Sequence, residues 1–146
     1  PYFLPTEPIF FAMRTAALSG VDVRLMVSLK RDSKLVQMAS RSYLRQTIQA
    51  GVKVLCYEEG FNHSKLLVAD DNIATIGSAN IDLRSFENNF EANAFFYDKS
   101  MAQRVKSIFL ADEAKCIPLG KIKGIDQKMF LYRLWESVIR LLSPLL

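Results

Sequence analysis

Two pairs of polar residues near the middle of the chain could act together on a phosphodiester. His63 and Lys65 precede one short apolar run, and Ser78 and Asn80 follow another. The members of each pair are two residues apart, so they share one face of a β-strand. Together they offer an imidazole as nucleophile or proton shuttle, a positive charge, and neutral hydrogen-bond donors for phosphoryl oxygens. Lys65, Ser78 and Asn80 are therefore the predicted phosphate-binding residues.

The two apolar runs predict a β-hairpin that brings these pairs together. Three residues that tolerate tight turns, 70–72, lie between the runs. If the last two of them form the loop, Lys65 falls opposite Ser78 and His63 falls opposite Asn80. Directly opposed residues have Cβ atoms about 5 Å apart. This register predicts that all four side chains lie on one patch of the sheet.

Two further residues of this stretch are predicted to serve its structure. Asp70 lies at the far end of the hairpin and is assigned to the turn rather than to chemistry. Gly77 has no side chain and is expected to let a ligand approach the sheet closely. The alternative interpretation is a buried polar hairpin with a satisfied histidine, which requires four polar groups to converge by accident.

Composition predicts a single domain with a mild preference for anionic partners. A chain of 146 residues, 50% of them hydrophobic, can bury one ordinary core. The 19 basic and 15 acidic residues give a net charge of +4, which does not demand nucleic acid. Cys56 and Cys116 lack metal-ligand spacing and predict structural roles in a reducing compartment.

No apolar run approaches the roughly 20 residues that span a bilayer, and no signal peptide is present. The chain starts at Pro1 without a methionine, which suggests a piece of a longer protein. Any membrane anchor is then expected elsewhere in that protein.

Hydrophobic periodicity predicts an α/β fold with a mixed, largely parallel sheet flanked by helices and right-handed crossovers. The predicted helices are 6–20, 34–50, 99–111 and about 127–142, and the predicted strands are 21–27, 52–57, the two hairpin arms and 90–97. Residues 81–89 are expected to be irregular and 116–124 to be a linker. The last helix is cationic and amphipathic; packing on the sheet is favoured over contact with a membrane.

Three charged residues outside the hairpin are candidates for the site. Glu91 lies in an apolar strand, where a carboxylate is costly without a partner. A strand-edge ion pair with Arg84 is the alternative explanation for it. Arg84 and Lys30 are also candidates for contact with a phosphate or an anionic headgroup, because Lys30 follows a predicted strand at the edge where such folds build their sites.

The spacing of these residues closely resembles the signature of the phospholipase D superfamily, the HKD phosphodiesterases. The spacing is His63, one residue, Lys65, four residues, Asp70, six residues, Gly-Ser, one residue, Asn80. Within the superfamily the chain is most similar to the C-terminal half of the bacterial cardiolipin synthase family. Segments 1–7, 20–24, 60–61, 80–86, 89–93 and 140–146 carry this resemblance. Asn62 stands where an apolar residue is expected, and Ser78 where threonine is frequent.

The resemblance implies that residues 1–146 form a single catalytic half-domain, one lobe of the two-lobed phospholipase D fold. It implies phosphatidyl transfer between two phosphatidylglycerol molecules through a phosphohistidine, giving cardiolipin and glycerol without a metal or cofactor. His63 resembles the histidine of the second motif, for which the general acid and base role is favoured over the nucleophile role. Glu91 resembles the acidic residue that hydrogen-bonds the catalytic histidine.

The family mechanism uses two such motifs, whereas this chain has one histidine. The expected partners are therefore the missing N-terminal lobe or a second copy in a homodimer, a phospholipid substrate and a membrane surface. The expected location is the bacterial inner membrane, reached through parts of the parent protein absent from this sequence.

Two other functions remain open. An HKD endonuclease would use the same residues on nucleic acid, but it should carry a stronger basic stripe, so no nucleic acid is expected. A non-catalytic module that binds a lipid headgroup is the second alternative. A metal hydrolase is disfavoured because no ligand cluster is present in the sequence.

Overall fold

The computed structural model describes residues 3–28 and 34–122, which contain both strands and helices. The strands are β1 (Phe3–Leu4), β2 (Arg24–Ser28), β3 (Lys53–Tyr57), β4 (Leu66–Ala69), β5 (Ile73–Gly77), β6 (Ile81–Asp82), β7 (Asn93–Phe96) and β8 (Cys116–Pro118). The helices are α1 (Glu7–Leu18), α2 (Lys34–Gln49), α3 (Leu83–Glu87) and α4 (Lys99–Glu113), and a short 3-10 helix covers Leu119–Lys121.

The helix boundaries follow from local chemistry, as the sequence predicts. Thr6 is the extended N-cap of α1, and Pro8 lies in the first turn, where its missing N–H costs nothing. Gly20 follows the helix with a φ of +90°, a conformation that glycine adopts without strain. Asp98 caps α4 by accepting a hydrogen bond from the backbone N–H of Met101 at 2.8 Å.

The first sheet confirms the α/β class. Strands β2 and β3 pair in parallel across the α2 crossover, and β8 joins β3 in antiparallel orientation. The core between this sheet, α1 and α2 consists of buried side chains: Phe3, Leu4, Phe10, Leu25, Val27, Ala39, Tyr43, Leu44, Val52, Val54, Cys56 and Leu119. The rings of Phe10 and Tyr43 meet edge to face with centroids 5.3 Å apart, a favoured aromatic geometry that joins α1 to α2.

The second sheet has the order β4-β5-β7 and is antiparallel throughout. Helix α4 covers one face, where Ala74, Ala102 and Val105 are buried. On the opposite face Leu67 and Phe95 remain 52% and 62% exposed. With β1 parallel to β6 as the third sheet, the described strands form two parallel and three antiparallel ladders, so the sheets are mixed but less parallel than predicted.

The hairpin forms as predicted, but the predicted register is wrong by one residue. Ala69 pairs with Ile73, which leaves three residues in the loop instead of two. Asp70 and Asp71 both take left-handed conformations, with φ of +48° and +55°, and Asn72 N–H closes the turn on the Ala69 carbonyl at 3.1 Å. Asp70 is therefore a turn residue, as predicted. The additional loop residue shifts every cross-strand partner of β5.

Other parts of the sequence prediction need correction. Residues 81–89 are not irregular, because they contain β6 and α3, and 116–124 is not a simple linker, because it begins with β8. The strand predicted at 90–97 forms only from Asn93, so Glu91 precedes it. The predicted helix 127–142 and Lys30 lie outside the described residues. No helix within residues 3–28 and 34–122 is long and apolar enough to cross a membrane.

Gly77 serves the packing of β7 rather than the approach of a ligand, contrary to expectation. A Cβ atom at this position would lie 1.8 Å from Asn93 Oδ1 and 2.4 Å from the Ala92 carbonyl oxygen. Both distances are far inside van der Waals contact. The missing side chain thus lets the segment that follows Glu91 pair closely with the end of β5.

We predict that Gly77→Ala lowers the free energy of unfolding by about 1–3 kcal/mol through overpacking. Urea denaturation followed by circular dichroism measures this change. Gly60→Ala is the matched control, since nothing lies within 4 Å of its added Cβ. Adding Asn93→Ala should restore only part of the loss, because the backbone carbonyl of Ala92 remains in the way. Equal stability of the two single variants would contradict this interpretation.

Candidate active site

His63 lies in an irregular segment between β3 and β4, next to the end of β2. Its neighbour Asn62 exchanges two hydrogen bonds with the Ser28 hydroxyl: Asn62 N–H donates at 2.9 Å, and the hydroxyl donates to the Asn62 carbonyl at 3.1 Å. The Phe61 ring stacks on the imidazole with centroids 5.5 Å apart. The imidazole itself remains exposed. The segment therefore presents His63 to solvent at the carboxyl end of a parallel strand.

Lys65 contacts the imidazole directly, although both residues precede β4 and are not on a strand as predicted. Lys65 Nζ lies 3.0 Å from His63 Nε2 and donates to the His63 carbonyl oxygen at 2.8 Å. When the ammonium donates to Nε2, that nitrogen holds a lone pair and the ring proton is on Nδ1. The pair thus offers a basic nitrogen and a cation side by side.

Glu91 is the centre of a second group of polar contacts. Its carboxylate accepts hydrogen bonds from the hydroxyls of Ser78 and Ser85 and from Asn89 Nδ2 at 3.3 Å. Ser78 also accepts from the Ala92 N–H at 3.0 Å, which fixes the orientation of its hydroxyl. The hydrogen bond from Ser78 is the main reason that the pKa of Glu91 is below its usual value. The carboxylate is therefore held in its ionised form.

Ser85 is a residue of the site that the sequence reasoning missed. It is buried, and its hydroxyl accepts a hydrogen bond from the Asn80 N–H at 3.1 Å. Its own N–H donates to Asp82 Oδ1 at 2.7 Å, which caps α3. Part of the signal was present in the sequence, because aspartate is a preferred N-cap residue and Asp82 predicts a helix start just before Ser85.

Asn80 places its side chain beside this network. Its Oδ1 atom is buried and has no hydrogen-bond partner among the described residues. A buried polar atom without a partner is costly in a folded protein and is a feature of groups that bind a ligand. Rotation of the carboxamide would present its NH₂ donors at the same position.

Lys65 contacts His63 and also interacts electrostatically with the group of residues around Glu91. Partial burial lowers the pKa of Lys65, whereas the negative charges of Glu91 and Asp82 oppose that shift. The ammonium is thus close enough to both carboxylates to interact with them. The site combines one half-buried cation with two carboxylates and an exposed imidazole.

The structure brings together only part of the predicted arrangement. Gly77 N–H donates to the Lys65 carbonyl at 3.1 Å, so Lys65 lies opposite Gly77 instead of Ser78. Among the described residues, no hydrogen bond joins Glu91 to His63, although the sequence reasoning expected one. Arg84 is exposed on α3.

Asp70 is at the opposite end of the hairpin from the candidate site. Its neighbour Asp71 pairs with Lys106 of α4 at 2.6 Å, which ties the turn to that helix.

No group of three or more His, Cys, Asp or Glu residues in the described part of the chain is arranged to hold a metal ion.

Comparison with known families matches a profile described as "Cardiolipin synthase, PLD-like domain" to residues 1–113. Over all 146 residues the chain is 48% identical to a cardiolipin synthase of Geobacillus thermodenitrificans and 41% identical to one of Clostridium perfringens strain SM101. It spans only 29% and 30% of the length of these two relatives.

Two solved structures have a similar fold. The first is a phospholipase D family member, Nuc from Salmonella typhimurium, with a TM-score of 0.68, 18% identity, and coverage of 80% of this chain and 76% of that one. The second is NucT from Helicobacter pylori, with a TM-score of 0.62, 22% identity, and coverage of 81% and 78%. The phospholipase D fold predicted from the sequence is thereby confirmed.

We predict that Glu91→Gln lowers the pKa of Lys65 further. The carboxylate charge favours the ammonium form, so its removal leaves the burial penalty less opposed. Titration of the Lys65 Nζ signal by NMR measures the change. Glu87→Gln is the control, because this glutamate is exposed and is not among the charges acting on Lys65. An unchanged or raised Lys65 pKa in Glu91→Gln would contradict the proposed coupling.

Proposed function

This chain belongs to the cardiolipin synthase, phospholipase D-like family, and we propose that it supplies one half of the active site of a phosphatidyltransferase. Because the chain spans less than a third of the length of its relatives, the activity is proposed for a longer protein. The observation that carries the proposal is the contact between His63 Nε2 and Lys65 Nζ beside the ionised Glu91. A basic nitrogen next to a fixed cation suits attack on, or proton transfer to, a phosphoester.

The proposed reaction has two steps. A histidine nitrogen attacks the phosphorus of one phosphatidylglycerol, and the bond to its headgroup glycerol breaks as that oxygen receives a proton. The hydroxyl of a second phosphatidylglycerol then attacks the phosphohistidine and gives up its proton, which yields cardiolipin. The net products are cardiolipin and glycerol, with both histidines restored.

In this proposal each residue of the site has a defined task. Lys65 and Asn80 bind the phosphoryl oxygens, which carry negative charge in the transition state. The Ser78 hydroxyl, predicted to do the same, instead donates its single proton to Glu91 and holds that carboxylate in place. His63 donates a proton to the leaving glycerol and accepts one from the attacking hydroxyl. The ionised Glu91 favours the ammonium form of Lys65.

The second histidine must come from another polypeptide segment, since this chain has one histidine. We propose that the missing lobe of the same protein supplies it. Pairing of two copies about a two-fold axis is the alternative source. We propose that the longer protein acts at the bacterial inner membrane, where its phospholipid substrate is found. No cofactor is required, and Arg84 is a candidate for contact with the lipid headgroup.

We predict that His63→Ala in the full-length protein lowers phosphatidyl transfer between phosphatidylglycerol molecules by about 10³-fold or more, because proton transfer is lost. Lys106→Ala is the control, since this lysine pairs with the hairpin turn at the far end from His63. Production of cardiolipin in vesicles is the measurement.

Three results of the same experiment would contradict the proposal. Cleavage of DNA without turnover of phosphatidylglycerol would support an HKD endonuclease. Vesicle binding without turnover, in both the unchanged protein and the variant, would support a lipid-headgroup module instead. Full activity of His63→Ala would remove His63 from the mechanism altogether.

We also predict that residues 1–146 alone show no turnover above the His63→Ala background when they are monomeric. Half of the required histidine pair is then missing. The measurement combines the transfer assay with analytical ultracentrifugation across a range of protein concentrations. Activity that rises with the dimer fraction would identify a second copy as the partner, whereas full turnover by a monomer would contradict the two-motif mechanism.

A further inference from the structure

The backbone around His63 is not held by a β-ladder. Strand β3 ends at Tyr57 and β4 begins at Leu66, so residues 58–65 form a connection. An exposed loop ordinarily samples many conformations, which would leave a reacting side chain poorly oriented. The orientation of His63 must therefore depend on contacts made by side chains within or beneath the loop.

The Asn62 side chain makes three such contacts. Its Oδ1 atom accepts hydrogen bonds from the Ser64 N–H at 3.0 Å and from the Ser64 hydroxyl. Its Nδ2 atom donates to Met26 Sδ at 3.6 Å. A bond from an asparagine side chain to the N–H two residues ahead closes an Asx turn. The residue enclosed by this turn is His63.

The Asn62 backbone is fixed to the sheet at the same time. Ser28, the last residue of β2, is 1% exposed, and its hydroxyl bonds both the N–H and the carbonyl of Asn62. Because a buried hydroxyl has a narrow choice of orientations, this double contact defines where the loop leaves the sheet. The backbone of Asn62 is thus anchored to the core, and its side chain closes the turn around His63.

We propose that Asn62 is a positioning residue for His63, with the buried Ser28 hydroxyl as its anchor. The Asx turn sets the direction in which the imidazole leaves the backbone, and it places the His63 carbonyl where Lys65 Nζ donates to it at 2.8 Å. The same lysine then reaches His63 Nε2. These contacts alone support the positioning role of Asn62, whereas an effect of Asn62 on turnover rests on the proposed function.

The first test uses the fact that the chain has one histidine, so its ring signals belong to His63 alone. Nitrogen-15 NMR of the ring in the 146-residue chain reports the tautomer at mildly alkaline pH. The unchanged protein should favour the Nδ1–H tautomer, because Lys65 occupies Nε2. Asn62→Ala should move the ring signals toward those of an unstructured histidine, and Asn62→Asp, which keeps the oxygen acceptor, should retain them.

Asn72→Ala is the matched control, since Asn72 lies in the hairpin turn away from His63. Circular dichroism verifies that each variant folds. If Asn62→Ala does not fold, Ser28→Ala removes the anchor with a smaller change and should shift the same ring signals. Unchanged ring signals in a folded Asn62→Ala or Ser28→Ala variant would overturn the proposal.

The second test measures phosphatidyl transfer by the full-length protein. Asn62→Ala should lower kcat about 10-fold to 100-fold with KM nearly unchanged, because the imidazole is misplaced while phosphate binding by other residues remains. Asn62→Asp should recover most of kcat. Loss of kcat that Asn62→Asp fails to recover would contradict positioning through the acceptor oxygen. If His63→Ala itself leaves the activity unchanged, the proposed function fails, while the NMR result still decides the role of Asn62.

Discussion

The half-buried ammonium of Lys65 is the physical constraint on which the candidate site depends. Burial disfavours its charge, and the carboxylates of Glu91 and Asp82 counteract this penalty. Glu91 can do so because Ser78 and Ser85 donate hydrogen bonds that keep it ionised. Without these carboxylates the charged form of Lys65 would be less stable in its partly buried position. The fold thereby maintains a positive charge at the site for which binding of an anionic phosphoester is proposed.

Short elements of the fold hold these carboxylates in place. Strand β6 pairs in parallel with β1, where Phe3 is fully buried, so the start of α3 is tied to the main core. Asp82 is both the last residue of β6 and the N-cap of α3. One short connection therefore links the hydrophobic core to the electrostatics of the site. The pairing of β6 with β1 also explains how two elements as short as β6 and α3 can position charged groups.

The site lies where two sheets meet, and different helices cover each of these sheets. His63 leaves from the end of the sheet that α1 and α2 cover, whereas Ser78 and Glu91 border the sheet that α4 covers. Lys65 precedes the hairpin and is the residue that contacts or interacts with both sides. The imidazole stays exposed, a geometry compatible with a second histidine approaching from another segment.

The sequence alone predicted most residues of the candidate site, though not Ser85, and most of the elements that carry them, because periodicity, caps and motif spacing are local properties. Only the tertiary structure decided their partners. Two-residue and three-residue loops are both compatible with 70–72, and the left-handed conformations of Asp70 and Asp71 select the longer one. Gly77 packs against β7, and Glu91 accepts hydrogen bonds from serines rather than from His63. Both contacts join separate segments of the chain, so local sequence did not predict them. Such contacts depend on how the sheets approach each other, which no local pattern encodes.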